Sequence, residues 1–106
     1  MPGQRFDMNQ LMRQAQEMQA QMARAQEQLA NETVEASAGG GLVTVKATGT
    51  GVIQEIKIDP KAIDRDDPEL LEDTVLAAVN EALRSAQALM ESKLGGSLGG
   101  LGLPGL

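Results

Sequence analysis

The sequence contains no cysteine and no histidine. Without cysteine the chain can form neither disulfides nor thiolate metal sites, and it has no thiol nucleophile, which fits a reducing compartment. Without histidine it lacks the commonest general base and the commonest metal-ligating side chain. The serines lie in no nucleophile motif. We therefore predict a protein that is not an enzyme, carries no metal or other cofactor and takes no small-molecule substrate.

Aromatic side chains are nearly absent as well, because Phe6 is the only one among 106 residues. Aromatic residues usually supply much of the bulk of a monomeric core. A domain of this size also buries only about two thirds of the surface that its unfolded chain exposes. We therefore expect the chain to complete its interior by association, as a homodimer.

Long apolar runs are missing too. The first twenty residues are too polar for a signal peptide, and no segment approaches the roughly 18 apolar residues of a membrane span, so we expect a cytoplasmic protein without membrane contact. Acidic residues are in excess, with 9 Lys and Arg against 15 Asp and Glu and a net charge of −6. That balance disfavours tight, non-specific binding to nucleic acid, which depends on lysine and arginine.

The stretch from Gly39 to Pro60 shows the period of two that is typical of β-strands. Two alternating runs flank the turn Thr48-Gly49-Thr50-Gly51, whose glycines supply the positive φ angles that a hairpin needs. A weaker alternation from Asn31 to Ala38 precedes them, and Gly39-Gly40-Gly41 permits a sharp reversal. The prediction is a three-stranded antiparallel meander. Its apolar faces are expected to carry Val43, Val45 and Ala47 on one strand and Val52, Ile56 and Ile58 on the next.

The segment before the strands has the pattern of a long helix from Asp7, the predicted N-cap, to about Ala30. Its apolar or small positions alternate in spacing between three and four residues, which is a coiled-coil seam. We interpret the methionines in this seam as packing residues rather than ligands, and expect another helix to cover it. The seam consists of Met8, Leu11, Ala15, Met18, Met22, Ala25 and Leu29.

A second long helix is predicted after the strands. Asp67 is placed to cap it, Pro68 fits its first turn, and its end is expected near Leu94. The neighbouring acidic residues lack the spacing of a calcium loop, so we interpret them as capping groups. The Gly-rich residues 95–106 are predicted to be a flexible tail after a single domain of residues 1–94.

Two apolar tracks run along this second helix, which therefore has two neighbours. We assign one track to the first helix and the other to the sheet or to a partner chain. The first track consists of Leu71, Val75, Ala78, Ala82, Ala86 and Leu89. The second consists of Leu76, Val79, Leu83, Ala86 and Met90.

Two functions are compatible with this α+β arrangement. If the helices pack antiparallel as an arm, the start of the first and the end of the second form a comparatively basic tip, and the protein binds DNA. This candidate DNA-binding set is Arg5, Arg13, Arg84 and Lys93. The alternative is a coiled-coil scaffold or adaptor whose methionine-rich face holds a protein partner without DNA contact.

The order of segments also resembles a known family. The resemblance lies in a Met- and Gln-rich helix, the hairpin GGGLVTVKATGTGVIQEIKIDP, the acidic run DRDDPELLED and an Ala- and Val-rich helix. Over roughly residues 7–94 these segments are similar to the YbaB/EbfC family of bacterial nucleoid-associated proteins. The resemblance implies a homodimer with joined sheets and two projecting helical arms. It also implies binding to double-stranded DNA through the arms, compaction of the nucleoid and an influence on gene expression.

Overall fold

A computed structural model describes residues 7–99 of the chain. Within them the chain forms a long helix, three strands, one turn of 3-10 helix and a second long helix. The sheet is antiparallel with the strand order β1-β2-β3. The predicted α+β class and the meander are therefore confirmed. The bounds are α1 (Met8–Asn31), β1 (Thr33–Ala38), β2 (Val43–Thr48), β3 (Ile53–Ile58), the 3-10 turn Pro60–Ala62 and α2 (Pro68–Gly99).

Both long helices begin where their capping residues predict. The Asp7 carboxylate accepts hydrogen bonds from the backbone N–H groups of Asn9 and Gln10 at 3.1 and 3.2 Å, and the Asp67 carboxylate accepts one from Leu70 at 3.2 Å. Each cap satisfies a backbone donor that has no partner inside its own helix.

The end of α2 was predicted less well, because the helix continues past Leu94 to Gly99. Glycine lowers helix stability by about 1 kcal/mol relative to alanine but does not block the backbone hydrogen bonds. Proline does block them, and the first proline after Leu94 is Pro104. The boundary of the predicted tail stays a prediction, since residues 100–106 lie outside the described part.

The core lies where α2 crosses one face of the sheet above β1 and β2. Val43, Val45 and Ala47 of β2 are fully buried, and so are Ala78 and Ala82 of α2. Because alanine is small, the backbone of α2 can approach the sheet closely. The core is therefore built from short side chains, as the scarcity of aromatic residues suggested.

A β-bulge changes which residues of β3 share this face. Lys46 pairs with Glu55, but the next residue, Ala47, pairs with Ile53, so Gln54 is the extra residue. The bulge brings Ile53 onto the same face as Ile56 and Ile58. Val52, which was predicted to lie on that face, is instead exposed in the turn.

The C-terminal end of α1 is anchored to the turn between β2 and β3. The Gly49 N–H donates to the carbonyl oxygens of Leu29 and Glu32 at 2.9 and 3.0 Å, and Leu29 is fully buried. A Cβ atom at Gly49 would lie 2.8 Å from the Leu29 carbonyl oxygen. The prediction that Gly49 supplies a positive φ was wrong, since in this turn only Gly51 adopts one; Gly49 is needed for the close approach of α1.

Among the described residues, the hydrogen bonds between the two long helices lie near this anchor. Lys93 of α2 donates to the carboxylate of Glu32 and, at 3.5 Å, to the side-chain oxygen of Gln28. The first apolar track of α2 packs on the sheet, and Leu76 of the second track is exposed. The prediction that one of the two tracks packs along α1 was therefore wrong for the single chain. The chain has a radius of gyration of 21.3 Å, whereas a compact chain of this length has about 13 Å. The anchored α1 therefore projects away from the sheet.

Candidate nucleic-acid interface

The predicted basic tip is not formed by the described residues. Arg5 lies outside them. Arg13 is exposed on α1, whereas Lys93 lies at the root of this helix beside Gln28. Fifteen residues separate Arg13 from Gln28, which is about 22 Å along a helix. The prediction failed because α2 crosses the sheet instead of pairing with α1 along its length.

Arg84 lies on a different surface from Arg13. It is exposed on α2 and forms an ion pair with Glu81 at 3.1 Å. With Asn80, Leu83 and Gln87 it lines a shallow groove on the helix. An exposed ion pair of this kind contributes only about 0 to 1 kcal/mol, so Glu81 can be exchanged for another anion at little cost.

Two arginines share one side of α1. Arg24 follows Arg13 by eleven residues, which is about three helical turns, so the two side chains leave the axis about 20° apart and about 16 Å along it. Both are exposed, and neither forms an ion pair within the described residues. Glu17 and Glu27 lie about 40° to either side of Arg13. Sequence reasoning left Arg24 out of the candidate set, although the eleven-residue spacing is a signal for a shared face.

The lysines of the sheet are paired with acids on its solvent face. Lys46 lies opposite Glu35 on one side and Glu55 on the other. Its ammonium is 3.8 Å from the Glu35 carboxylate, and that of Lys57 is 3.2 Å from Glu55. The sheet therefore offers mixed charge, whereas Arg13 and Arg24 on α1 form no ion pair within the described residues.

Acidic side chains between β3 and α2 accept hydrogen bonds from backbone N–H groups. Asp59 accepts from the N–H of Lys61 and Asp64 from that of Asp66, each at 2.9 Å. In residues 7–99 no group of three or more acidic, cysteine or histidine side chains is arranged to hold a metal ion. The cluster thus stabilises the turn and the start of α2.

A continuous apolar surface remains uncovered beside the core. It is lined by Ile58 of β3 and, on α2, by Leu71, Val75, Leu76 and Val79, which come from both apolar tracks. Leu76 is 60% exposed and Ile56 of β3 is 44% exposed. We call this surface the open apolar strip. Its members are Ile56, Ile58, Leu71, Val75, Leu76, Val79 and Leu83.

The seam of α1 is also uncovered in the single chain. Met18 and Met22 are 53% and 49% exposed, and only Leu29 at the root is buried. The expectation that the methionines pack in a core is therefore wrong for the chain alone.

Neither long helix, as far as the structure describes the chain, combines the length and the apolar character needed to cross a bilayer.

Comparison with known proteins adds the family context. Residues 4–101 match the model of the YbaB/EbfC DNA-binding family. The chain is 54% identical to a nucleoid-associated protein of Acetivibrio thermocellus, over 99% of this chain and 94% of that protein. It is 49% identical to a nucleoid-associated protein of Saccharopolyspora erythraea, over 99% and 98% of the two chains. The crystal structure of an uncharacterised Helicobacter pylori protein is similar in fold, with a TM-score of 0.78, 20% identity and coverage of 89% of this chain and 99% of that one.

Proposed function

This chain belongs to the YbaB/EbfC DNA-binding family, and from that premise we propose that it binds duplex DNA as a homodimer and organises the nucleoid in the cytoplasm. The observation that carries the DNA contact is the pair Arg13 and Arg24 on one side of the projecting α1. They are exposed cations without an ion-pair partner in the described residues of an otherwise acidic chain. Phosphate oxygens are the ligands that such guanidinium groups bind best.

The number of contacts sets the expected salt dependence. A homodimer presents two copies of α1, and thus four of these arginines. Four neutralised phosphates give a slope of log K against log salt near −4. Arg84 can add a contact by exchanging Glu81 for a phosphate. Lys93, at the root of α1, stays in the proposal as a further contact, and so does Arg5, which lies outside the described residues.

The homodimer is supported by the open apolar strip. Fully burying a leucine or isoleucine side chain contributes about 1.5 to 3 kcal/mol. Because Leu76 and Ile56 are exposed in the single chain, much of this stabilisation becomes available only when a partner covers them. A second copy placed against the strip by a two-fold axis would cover both strips at once. Because the strip borders the unpaired edge of β3, the two sheets can join there.

The DNA proposal is tested by charge reversal on α1. We expect the double variant Arg13→Glu, Arg24→Glu to bind a random-sequence duplex at least tenfold more weakly, with a salt slope that is shallower by about 4 because four phosphate contacts are lost. Fluorescence anisotropy at several salt concentrations measures both. The matched control is Lys57→Glu, Lys61→Glu, which changes the net charge equally on the other side of the molecule. Equal losses in both variants would mean that only the net charge matters, and the proposed interface would be wrong.

The homodimer is tested separately from DNA binding. At a low concentration, at which the wild-type protein is a dimer, Leu76→Asp should give a monomer by light scattering with unchanged circular dichroism, since Leu76 is exposed in the single chain. Leu70→Asp is the control, because Leu70 is 59% exposed but lies on another side of α2. A wild-type protein that stays monomeric at every concentration would contradict the homodimer.

The exposed seam of α1 favours a second candidate function, a scaffold that binds a protein partner without DNA contact. A methionine-rich helical face is well suited to hold another helix. This candidate predicts no binding of the duplex by the wild-type protein even at low salt. The anisotropy titration thus separates the two functions.

A further inference from the structure

The seam of α1 is flanked by uncharged residues. With Met8 as heptad position a, the positions that border the seam from Gln14 onward are all glutamine. They are Gln14, Gln19, Gln21, Gln26 and Gln28. The charged residues Arg13, Glu17, Arg24 and Glu27 occupy positions c and f on the opposite face. Two copies of this seam can therefore approach each other without repulsion between like charges at the e and g positions, where such repulsion normally selects partners.

The sizes of the seam residues fit an antiparallel pair. When a second α1 runs in the opposite direction, position a of one helix faces position d of the other. We align the two helices so that a two-fold axis passes between residues 16 and 17 of each. Three seam contacts then form, and the axis repeats each of them: Met8 with Ala25, Leu11 with Met22 and Ala15 with Met18. In two of the three, a large side chain faces a small one, which is the complementarity that close packing requires.

A parallel pair fits less well. In that arrangement each seam residue faces its own copy, so Ala15 would face Ala15 and Ala25 would face Ala25. Both layers would leave space that no side chain fills, while Met18 and Met22 would face other methionines. The sequence of sizes along the seam thus selects the antiparallel direction, which the uncharged flanks alone do not decide.

We propose that the α1 seam binds the α1 seam of a second copy that belongs to a different homodimer, in the antiparallel register given above. The occupant of the seam is another molecule of this protein, and the contact links dimers into chains. Arg13 and Arg24 face away from the seam and stay free to contact DNA. The link goes beyond the proposed function: it requires the homodimer at the open apolar strip for chain growth but does not depend on DNA binding.

Disulfide trapping tests the register, since the natural chain has no cysteine. Leu11→Cys and Met22→Cys proteins are prepared separately, mixed and oxidised by air. We expect the mixed disulfide, identified by intact mass, in large excess over either homodisulfide. Leu11→Cys mixed with Ala20→Cys is the control, because Ala20 lies on the outer face. Homodisulfides in place of the mixed product, or no disulfide at all, would overturn the proposal.

The mass in solution tests the link between dimers. Wild-type protein should exceed the dimer mass in light scattering as its concentration rises, and Met18→Glu should stay at the dimer. Gln16→Glu adds the same charge on the outer face and should behave like wild type. Met18 is exposed in the single chain, so circular dichroism should be unchanged in both variants. A mixed disulfide combined with a mass fixed at the dimer would place the pairing inside one dimer and overturn the link.

The two contacts between copies can be separated. In the Leu76→Asp background the open apolar strip is disabled, and at high protein concentration the paired seams alone should give a dimer that still forms the mixed disulfide. Loss of the disulfide in that background would show that the seam does not associate by itself, against the proposal. DNA is absent from all of these measurements, so a failure of DNA binding cannot be mistaken for a failure of the seam.

Discussion

The two long helices have similar apolar periodicity but opposite burial. Among the described side chains of α2, those that are fully buried belong to Ala78, Ala82 and Ala86, and the first two pack against the strands. The seam of α1 has larger side chains, such as Met18 and Met22, and leaves them half exposed. On these two helices the small residues of α2 therefore pack in the core, whereas the larger apolar residues of the α1 seam, apart from Leu29, face outward. On these two helices, side-chain size therefore does not follow depth in the core.

The largest loss of stability is expected when a charge is placed among the buried alanines of α2. Ala82→Asp should reduce the free energy of unfolding by at least about 3 kcal/mol, because it buries a carboxylate between α2 and the sheet. Ala77→Asp on the exposed side of the same helix should have little effect. Urea denaturation followed by circular dichroism measures both. If Ala82→Asp unfolds at the same midpoint as Ala77→Asp, α2 does not lie on the sheet as described.

An intermediate effect is expected where α1 meets the sheet. Gly49→Ala places a Cβ atom 2.8 Å from the Leu29 carbonyl oxygen, which should cost about 1 to 3 kcal/mol. Hydrogen exchange should rise at the C-terminal end of α1 in particular. By contrast, Gly95→Ala has no atom within 4 Å of the new Cβ and should stabilise α2 by up to about 1 kcal/mol. Two effects of the same sign would contradict this account of the anchor.

The smallest expected change in stability concerns the exposed seam of α1. Met22→Gln removes a large apolar side chain, yet in dilute protein it should change the free energy of unfolding by no more than about 0.5 kcal/mol, because Met22 lies outside the core. Thermal unfolding measures this change in free energy, at a protein concentration too low for two α1 seams to pair. A cost of several kcal/mol would show that another part of the chain covers Met22.

Much of the fold could be predicted from the sequence because its signals are local. Asp7 and Asp67 mark the starts of both helices, and the alternation around Val45 marks a strand. The bulge at Gln54 and the contact of Gly49 with Leu29 could not be predicted in this way. Both depend on how segments distant in the sequence meet, which the period of a single segment does not encode.

The candidate site was predicted only in part for the same reason. Placing Lys93 at the tip of an arm required the relative direction of α1 and α2, and their contact is confined to one end. Arg13 and Arg24, in contrast, share a face of a single helix, so their relation depends only on helical geometry. Residue pairs within one element are thus the more reliable candidates when the packing between elements is unknown.

The single attachment of α1 gives it the mechanics of a lever. From Leu29 to Met8 the helix is about 32 Å long. A rotation of about 10° at the joint moves its far end by about 5 to 6 Å, while the joint itself barely changes. Small changes in the hydrogen bonds between Gly49 and the C-terminal end of α1 are thereby amplified into large displacements of the far end of the helix.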